Sequence, residues 1–428
     1  MKESQYNYYF EKEEFSYFFN GLNKTYFRIP IELGKKIQLS LKSDIDSFFR
    51  IGNFGEKLYN EGFIVDDNKN ELKEIFRRKE LEKTKKDYFL VILPTLNCNF
   101  SCWYCIQDHI ESVMSDETID KLKKHIEYMI NDMKIESLHI EWFGGEPFMY
   151  FNRVIKPIAS FAQKICLENN IDFEHSATTN GFYLTKDIYS DLKALELRRF
   201  HITLDGNKLK HDEVKYCDDC GSAFTQTLTN INGILSYDPN ANLILRINYT
   251  SDNLDRSIVS DVNQLIQPAN RGRVLVNLKK VWQVKCTDEL NDEVKDIRLE
   301  FESSGYKVTK LEIITNFLTC YVERDFYNAI NFNGEVVKCT ASDDLHTGIP
   351  YGVLDETGEI KWDPDHLRKL RERNLPKPCS TCHYLPICMG PCPHKNNLNN
   401  NTFICKFSDI KKVIPEMIMS YIDSHYAL

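Results

Sequence analysis

Cys98, Cys102 and Cys105 stand in a C-x3-C-x2-C run directly after the apolar segment Phe89 to Leu93. Three thiolates at that spacing suit a cubane iron–sulfur cluster with one iron left free for a substrate or cofactor, whereas an electron-carrying cluster normally has every corner closed by protein. A structural zinc loop and three unrelated core cysteines are the alternatives, although intracellular cysteine clusters usually bind metal or do redox work. Further along, Glu141-Trp142-Phe143-Gly144-Gly145-Glu146-Pro147 follows the strand-like Leu138 to Ile140. Its two glycines permit close backbone approach to a ligand, Pro147 fixes the exit, and Glu146 offers an anionic acceptor for an ammonium group. Ser176-Ala177-Thr178-Thr179-Asn180-Gly181 and His201-Ile202-Thr203-Leu204-Asp205-Gly206 each end another apolar segment in polar side chains, and Arg246 lies in Leu243 to Asn248. Loops at the carboxyl ends of parallel barrel strands build the site, so Ser176, Asn180 and Asp205 are expected at the same mouth as the cysteines. Asn180-Gly181 also reads as a turn, and Asp205 and Arg246 as a structural ion pair.

Taken in order, these elements resemble the radical S-adenosylmethionine (SAM) enzymes: the cysteine loop with Tyr104 before its last cysteine, the GGEP element Gly144-Gly145-Glu146-Pro147, and the strand carrying Arg246 and Asn248. The resemblance implies a partial (β/α)6, TIM-like barrel. It also implies a 4Fe-4S cluster on Cys98, Cys102 and Cys105 whose open iron chelates SAM. Tyr104, Gly144, Gly145, Glu146, Pro147, Ser176, Asn180, Asp205 and Arg246 would surround the cofactor, with Arg246 on its carboxylate.

A second cysteine field occupies the carboxyl-terminal part. Cys320 is followed by thirteen residues, Gly334, four residues and Cys339; then come Cys379-x2-Cys382-x5-Cys388-x3-Cys392 and finally Cys405. The pattern resembles the seven-cysteine SPASM domain of radical SAM enzymes that modify peptides and proteins. By that resemblance Cys379, Cys382, Cys388 and Cys405 close one auxiliary cluster, while Cys320, Cys339 and Cys392 hold another, giving three 4Fe-4S clusters in all. No cysteine stands near Asn316, where relatives carry a fourth ligand to the latter cluster, so that site is open or recruits a distant ligand such as Cys286. The Cys392 to Cys405 gap is also shorter than in the family. Zinc is the alternative for paired C-x2-C units, but seven cysteines do not divide into four-ligand sites. Cys217 and Cys220 fall outside both motifs as a surface coincidence or a substrate thiol relay, and Cys166 reads as core.

The supporting elements follow from hydrophobic periodicity. Residues 1–88 begin aromatic-rich, with a strand at Tyr26 to Pro30, a helix capped by Ser43 and holding Ile45, Phe48, Phe49 and Ile51, and a short helix ending at Gly62. This weakly resembles a winged-helix leader-binding module, to whose exposed edge a peptide could add as a strand; the alternative is an extension packed on the barrel. Residues 89–304 alternate strands at Phe89, Leu138, Phe173, Phe200, Leu243 and Val274 with helices, the clearest starting at Ser115; alternation of this kind argues for parallel βαβ units. Residues 305–428 are read as the auxiliary-cluster domain, with a terminal helix over Phe407 to Tyr426.

The net charge of −9 gives no polybasic footprint for nucleic acid, no apolar run is long enough to span a bilayer, and no secretory signal leads the chain. A cytoplasmic enzyme is expected. The family's chemistry is reductive cleavage of SAM to a 5′-deoxyadenosyl radical that abstracts hydrogen from a bound residue, with an external flavodoxin- or ferredoxin-type electron donor. Sulfatase-maturing relatives carry an aspartate after the cysteine matching Cys339, where this chain has Thr340. That departure favours oxidative crosslinking of a ribosomally made precursor peptide bearing a leader, through a C–S, C–C or C–O bond. The competing readings are a sulfatase-type activator or small-molecule radical SAM enzyme, a non-catalytic iron–sulfur electron carrier, and a zinc-stabilised interaction protein.

Overall fold

The chain of this computed structural model forms two units. One comprises Met1–Lys85, Lys310–Asp325 and Arg368–Leu428, and the other Lys86–Thr309 with Phe326–Leu367. The structure describes residues 1–50, 53–216, 221–281, 283, 288–309, 319–341, 348–371, 375–393, 405 and 414–426. Cys217, Cys220, Cys286 and Asn316 lie outside the described residues.

In the first unit, strands β1 (Lys2–Glu3), β2 (Asn7–Lys12), β3 (Phe15–Asn20) and β4 (Thr25–Pro30) lead to helices α1 (Ile31–Ser43), α2 (Asp46–Phe49) and α3 (Phe54–Asn60), then β5 (Ile64–Val65) and α4 (Glu71–Thr84). Strands β2, β3 and β4 form an antiparallel sheet in that order, and β1 pairs with β5. Aromatic residues run along both faces of this sheet, and each face has its own cover. Phe18 packs with Ile37, Leu41, Phe48, Leu58 and Phe63 from the helical side, while Tyr8, Tyr17 and Phe19 pack with Ile414, Ile418 and Ile422 of the terminal helix Ile414–Tyr426. Asp423 of that helix accepts hydrogen bonds from Tyr17 (2.8 Å) and Arg28 (2.5 Å). Ser43 does not cap the next helix as its sequence position suggests. It ends α1, and its hydroxyl donates back to the Leu39 carbonyl at 2.8 Å.

The second unit carries the barrel strands: β6 (Asp87–Ile92), α5 (Asp116–Asn131), β7 (Ser137–Trp142), α6 (Lys156–Glu168), β8 (Asp172–Thr179), α7 (Tyr189–Ala194), β9 (Arg199–Leu204), α8 (Lys208–Val214), α9 (Ala223–Tyr237), β10 (Asn242–Tyr249), α10 (Ser257–Leu265), α11 (Pro268–Arg271), β11 (Val274–Lys280), α12 (Asp288–Ser303) and β12 (Lys307–Val308). Strands β13 (Tyr327–Ile330), β14 (Glu335–Val337), β15 (Gly352–Leu354) and β16 (Ile360–Trp362) extend the same sheet, whose order is β12-β11-β10-β9-β8-β7-β6-β13-β14-β15-β16. Each neighbouring pair from β12 to β13 is parallel, including β6 with β13. The segment read from sequence as one cysteine-rich domain is therefore divided, because β13 pairs with β6 and β14, β15 and β16 follow it in the same sheet. All six strands expected from the periodicity are present.

Parallel sheets are usually apolar on both faces, yet here side chains alternate. Leu138, Ile140 and Trp142 of β7, Phe200, Ile202 and Leu204 of β9, and Leu243, Leu245 and Ile247 of β10 are buried in the main core, leaving His139, Glu141, Thr203 and Arg246 on the opposite, inner face. Ser115 starts α5 by accepting a hydrogen bond from the Thr118 amide at 3.1 Å, as an N-cap serine should.

Candidate active site

The cysteine loop is fastened to the glycine element by backbone bonds. The Gly145 amide donates to the Thr95 carbonyl (3.1 Å) and the Glu146 amide to the Asn97 carbonyl (2.8 Å). Ser112 holds the other side of the loop, since the Leu96 amide donates to its hydroxyl at 2.9 Å while the Thr95 hydroxyl donates to its carbonyl at 2.6 Å. Asn180 closes the arrangement. Its side-chain amide donates to Asn99 Oδ1 (2.8 Å) and Cys98 Sγ (3.8 Å), and its backbone amide donates to Glu146 Oε2 (2.8 Å).

Cys98, Cys102 and Cys105 line one cavity of about 400 Å³, together with Tyr104, Gly144, Gly145, Asn180 and Arg246. The structure thus brings together eight of the twelve positions expected to hold the cluster and surround the cofactor. Glu146, Pro147, Ser176 and Asp205 are not on its wall. Glu146 is fully buried and accepts from the Phe148 amide (3.0 Å), the Thr179 hydroxyl (2.7 Å) and the Asn180 amide. Burial pushes its carboxyl up to about 7, against the pull of those donors and of Lys215. Its role in this geometry is to tie the glycine element to the end of β8. Pro147 is buried at the start of the turn Pro147–Tyr150, which Glu146 caps.

Asp205 is likewise fully buried; it accepts from the Tyr104 hydroxyl and pairs with Lys215 Nζ at 3.2 Å. Ser176 faces a separate space of about 450 Å³ with Glu141 and His201. Its hydroxyl donates to Glu141 and lies 2.7 Å from His139 Nε2. Two residues along a strand amount to roughly 6.6 Å, so Thr178, which does line the cluster cavity, stands one step nearer the mouth than Ser176.

The donor set fits a cluster. Burial pushes the Cys98 thiol up to about 12 and raises Cys102, the nearby Lys215 pulling Cys102 the other way. Partly buried thiols of this kind stay protonated until a metal displaces the proton, and the Asn180 amide aimed at Cys98 Sγ is a hydrogen bond of the kind that would steady a ligating sulfur. Among the described residues no three His, Cys, Asp or Glu side chains converge on a single-ion site; the three cysteines share a cavity wall instead.

Lys215 and Thr178 escaped the sequence reading. Lys215 stands ten residues past Asp205, after Lys208 and Lys210, with no spacing to mark it. Thr178 was within reach, because Ala177 is apolar and alternation places its two neighbours on the inner face.

The second cysteine field is spread over both units. Cys339 belongs to the barrel unit, and Thr340 beside it lines the cluster cavity. Cys320, Cys379, Cys382, Cys388, Cys392 and Cys405 belong to the other unit. There the Cys382 amide donates to the Cys379 carbonyl at 3.0 Å, and Cys388 and Cys405 pack in one apolar cluster. Cys166 is buried in the main core.

Comparison with known proteins bears on this geometry. Residues 92–221 match the Radical SAM superfamily model. The chain is similar to the radical SAM cyclopropyl synthase TigE of Paramaledivibacter caminithermalis, 23% identical over 202 residues that cover 42% of this chain and 41% of that protein. It is similar also to a GTP 3′,8-cyclase of Campylobacter jejuni, 33% identical over 134 residues that cover 31% of this chain and 38% of that protein. The matched stretches thus span about two fifths of those relatives. In fold, the chain resembles anSMEcpe with bound AdoMet, with a TM-score of 0.57 at 16% identity over 79% of this chain and 97% of that one. It also resembles Streptococcus suis SuiB bound to its precursor peptide SuiA, with a TM-score of 0.51 at 15% identity over 91% and 95%. With its cysteine loop, glycine element and parallel barrel sheet meeting at one cavity, this chain carries a radical SAM domain.

Proposed function

We propose that this protein is a radical SAM maturase of the SPASM type that forms an oxidative crosslink in a ribosomally made precursor peptide. The observation that carries the reading is the single cavity shared by Cys98, Cys102 and Cys105, the Gly144–Gly145 backbone, Arg246 and Thr340. Bound there, a 4Fe-4S cluster and SAM would supply a 5′-deoxyadenosyl radical for hydrogen abstraction. The chain's residues hold and orient. The cysteines ligate the cluster, Asn180 steadies the Cys98 sulfur, and the glycine backbone lets SAM approach closely. Arg246, whose Nε is fixed by Asn248 Oδ1 at 2.7 Å, offers its remaining N–H groups to the SAM carboxylate. Lys215 and Asp205 fix Tyr104 on the wall. Thr340 presents a neutral hydroxyl that cannot serve as a base near pH 7, which weighs against formylglycine formation.

The rest of the complement is part of the same proposal: auxiliary clusters on Cys379, Cys382, Cys388 and Cys405 and on Cys320, Cys339 and Cys392, an external low-potential electron donor, and a leader peptide added to an edge strand, β2 or β4, of the amino-terminal sheet. No helix among the described residues is long and apolar enough to cross a membrane.

The test is the intact mass of a candidate peptide, encoded beside this chain, after anaerobic co-expression. Loss of two hydrogens per modified site, absent when Cys98, Cys102 and Cys105 are all serine, is expected. An unchanged peptide mass while SAM is still cleaved would overturn crosslinking in favour of another substrate or a mass-neutral reaction.

A further inference from the structure

The inner face of β7 and β8 is polar where a parallel sheet is ordinarily apolar. Alternation turns His139 and Glu141 of β7 and Glu174, Ser176 and Thr178 of β8 to that face, and the register sets His139 beside Glu174 and Glu141 beside Ser176. A continuous line of contacts results. The Thr178 hydroxyl donates to Glu141 Oε1 at 2.6 Å, the Ser176 hydroxyl donates to Glu141 Oε2, and Ser176 Oγ lies 2.7 Å from His139 Nε2. Phe89 stacks on the His139 ring, with centroids 4.5 Å apart. The other ring nitrogen, Nδ1, lies 3.9 Å from Oε2 of Glu174, which is exposed.

The two ends of this line lie in different surroundings. Thr178 is on the wall of the cluster cavity, with Cys98 and Arg246, whereas Glu141 and Ser176 face the separate lower space. Glu141 is therefore the link through the wall. Glu146, the other carboxylate near this wall, is gripped by two backbone amides, which donate but do not take up a proton. Both side chains bonded to Glu141 are hydroxyls, which donate and accept at once and rotate to hand a proton on. The acidities also suit transfer. Burial raises the Glu141 carboxyl against the pull of the Ser176 and Thr178 hydroxyls, and burial lowers the His139 imidazole against the pull of Glu174, so the two affinities for a proton move toward one another. The other ionisable groups around the lower space do not compete. Arg199 is bonded to Glu174, Arg273 to the Asp238 and Ala241 carbonyls, and Lys307 is exposed; burial holds His201 neutral, its imidazole lowered to about 4.

We propose that Thr178, Glu141, Ser176, His139 and Glu174 form a proton relay from the cluster cavity to solvent, which carries away the proton that crosslinking releases. The proposal rests on the maturase reading for the source of that proton. Joining two residues removes one hydrogen atom, taken by the deoxyadenosyl radical, and one proton with one electron. The electron passes to an oxidised auxiliary iron–sulfur cluster, and the proton needs a base that Thr340 does not supply. Glu141 is that base, reached through Thr178. The Thr178 oxygen takes the substrate proton as its own passes to Glu141; Glu141 then protonates the Ser176 oxygen as the Ser176 proton passes to His139. The imidazolium gives its proton to solvent beside Glu174, and every group of the relay returns to its starting state.

The test measures crosslinked peptide and 5′-deoxyadenosine in the same anaerobic reaction of the full-length, iron-reconstituted protein with SAM, reductant and the peptide encoded beside this chain. Glu141→Gln should lower crosslink per deoxyadenosine by about a hundredfold. Thr178→Val and Ser176→Ala should lower it too, while Thr178→Ser should keep most of it. Glu141→Gln/Ser176→Ala should be no worse than Glu141→Gln alone, since the losses of residues that act as a unit do not add. Iron content and circular dichroism check each fold, and Thr178→Val against Thr178→Ser carries the test if Glu141→Gln fails to load iron. A second measurement needs no peptide. The infrared band of the protonated Glu141 carboxyl, found by difference against Glu141→Gln, should exchange into deuterium oxide at least about tenfold more slowly in Ser176→Ala than in the wild type. An unchanged ratio in Glu141→Gln, crosslink and deoxyadenosine falling together, additive losses in the double variant, or equal exchange rates would each overturn the relay. Slowed exchange in Ser176→Ala with no peptide modified by the wild type would overturn the maturase reading and leave the relay standing.

Discussion

Replacing Gly145 by alanine tests whether the glycine element positions the cluster loop. A Cβ built there would meet the Asn97 carbonyl oxygen at 2.0 Å and that of Leu96 at 2.7 Å, both below the 3.0 Å that real Cβ contacts respect. The obstructing atoms are backbone, so no side chain can swing aside and the two segments must part by about 1 Å. Parting them breaks the bonds from Gly145 to Thr95 and from Glu146 to Asn97, at a cost of about 1–3 kcal/mol for the pair. Cys98 directly follows Asn97, so the same displacement moves a sulfur that would ligate the proposed cluster. A misplacement of about 1 Å in a reacting assembly lowers the rate roughly a hundredfold. The assay is 5′-deoxyadenosine formation by the reduced, iron-reconstituted protein, with iron content measured alongside. Gly272→Ala is the control, because nothing lies within 4 Å of a Cβ at that position. A Gly145→Ala protein that loads iron and cleaves SAM at the wild-type rate would refute the reasoning.

Other consequences follow from the groups behind the wall. Glu146 has its carboxyl raised from 4.5 to about 7 by burial. The folded apoprotein therefore holds this proton more tightly than the unfolded chain, and stability present below pH 4.5 is lost as pH rises through 7, on the order of 3 kcal/mol. Denaturant titrations at pH 5 and pH 8 should show this fall in the wild type and a smaller one in Glu146→Gln; equal pH slopes in the two proteins would count against it. Lys215→Met should destabilise the apoprotein by roughly 3–5 kcal/mol by stranding the buried Asp205 carboxylate, whereas Lys215→Met/Asp205→Leu should recover part of that loss. If the single variant unfolds at the wild-type denaturant midpoint, the buried pair is not the constraint described here.

The sequence made the chemistry legible where residues act in sets. The cysteine spacing, the glycine element and the strand ends carry local signals, and the sheet register then brings Cys98, Gly145, Asn180 and Arg246 to one cavity. Lys215 carries no such signal, because a single lysine acquires meaning only when folding buries it against Asp205. Glu146 was expected on the cavity wall from the glycine element and Asp205 from its place at a strand end, but the donors around them draw both carboxylates behind it. Ser176 shares an inner face with Thr178, and only its depth along β8 directs it to the lower space. Helix α1 was missed although Ile37 and Leu41 fall one helical turn apart, since the aromatic strands before it and Gly34 within it obscure the pattern. The parallel pairing of β13 with β6 joins segments far apart in sequence, and periodicity alone cannot reveal which strands become neighbours.

The most direct test of the central claim is anaerobic SAM cleavage. The reduced, iron-reconstituted wild type should convert SAM to methionine and 5′-deoxyadenosine, and the protein with Cys98, Cys102 and Cys105 changed to serine should form neither above background. Equal turnover by the two proteins, or none by a wild type with all cluster iron in place, would contradict the account.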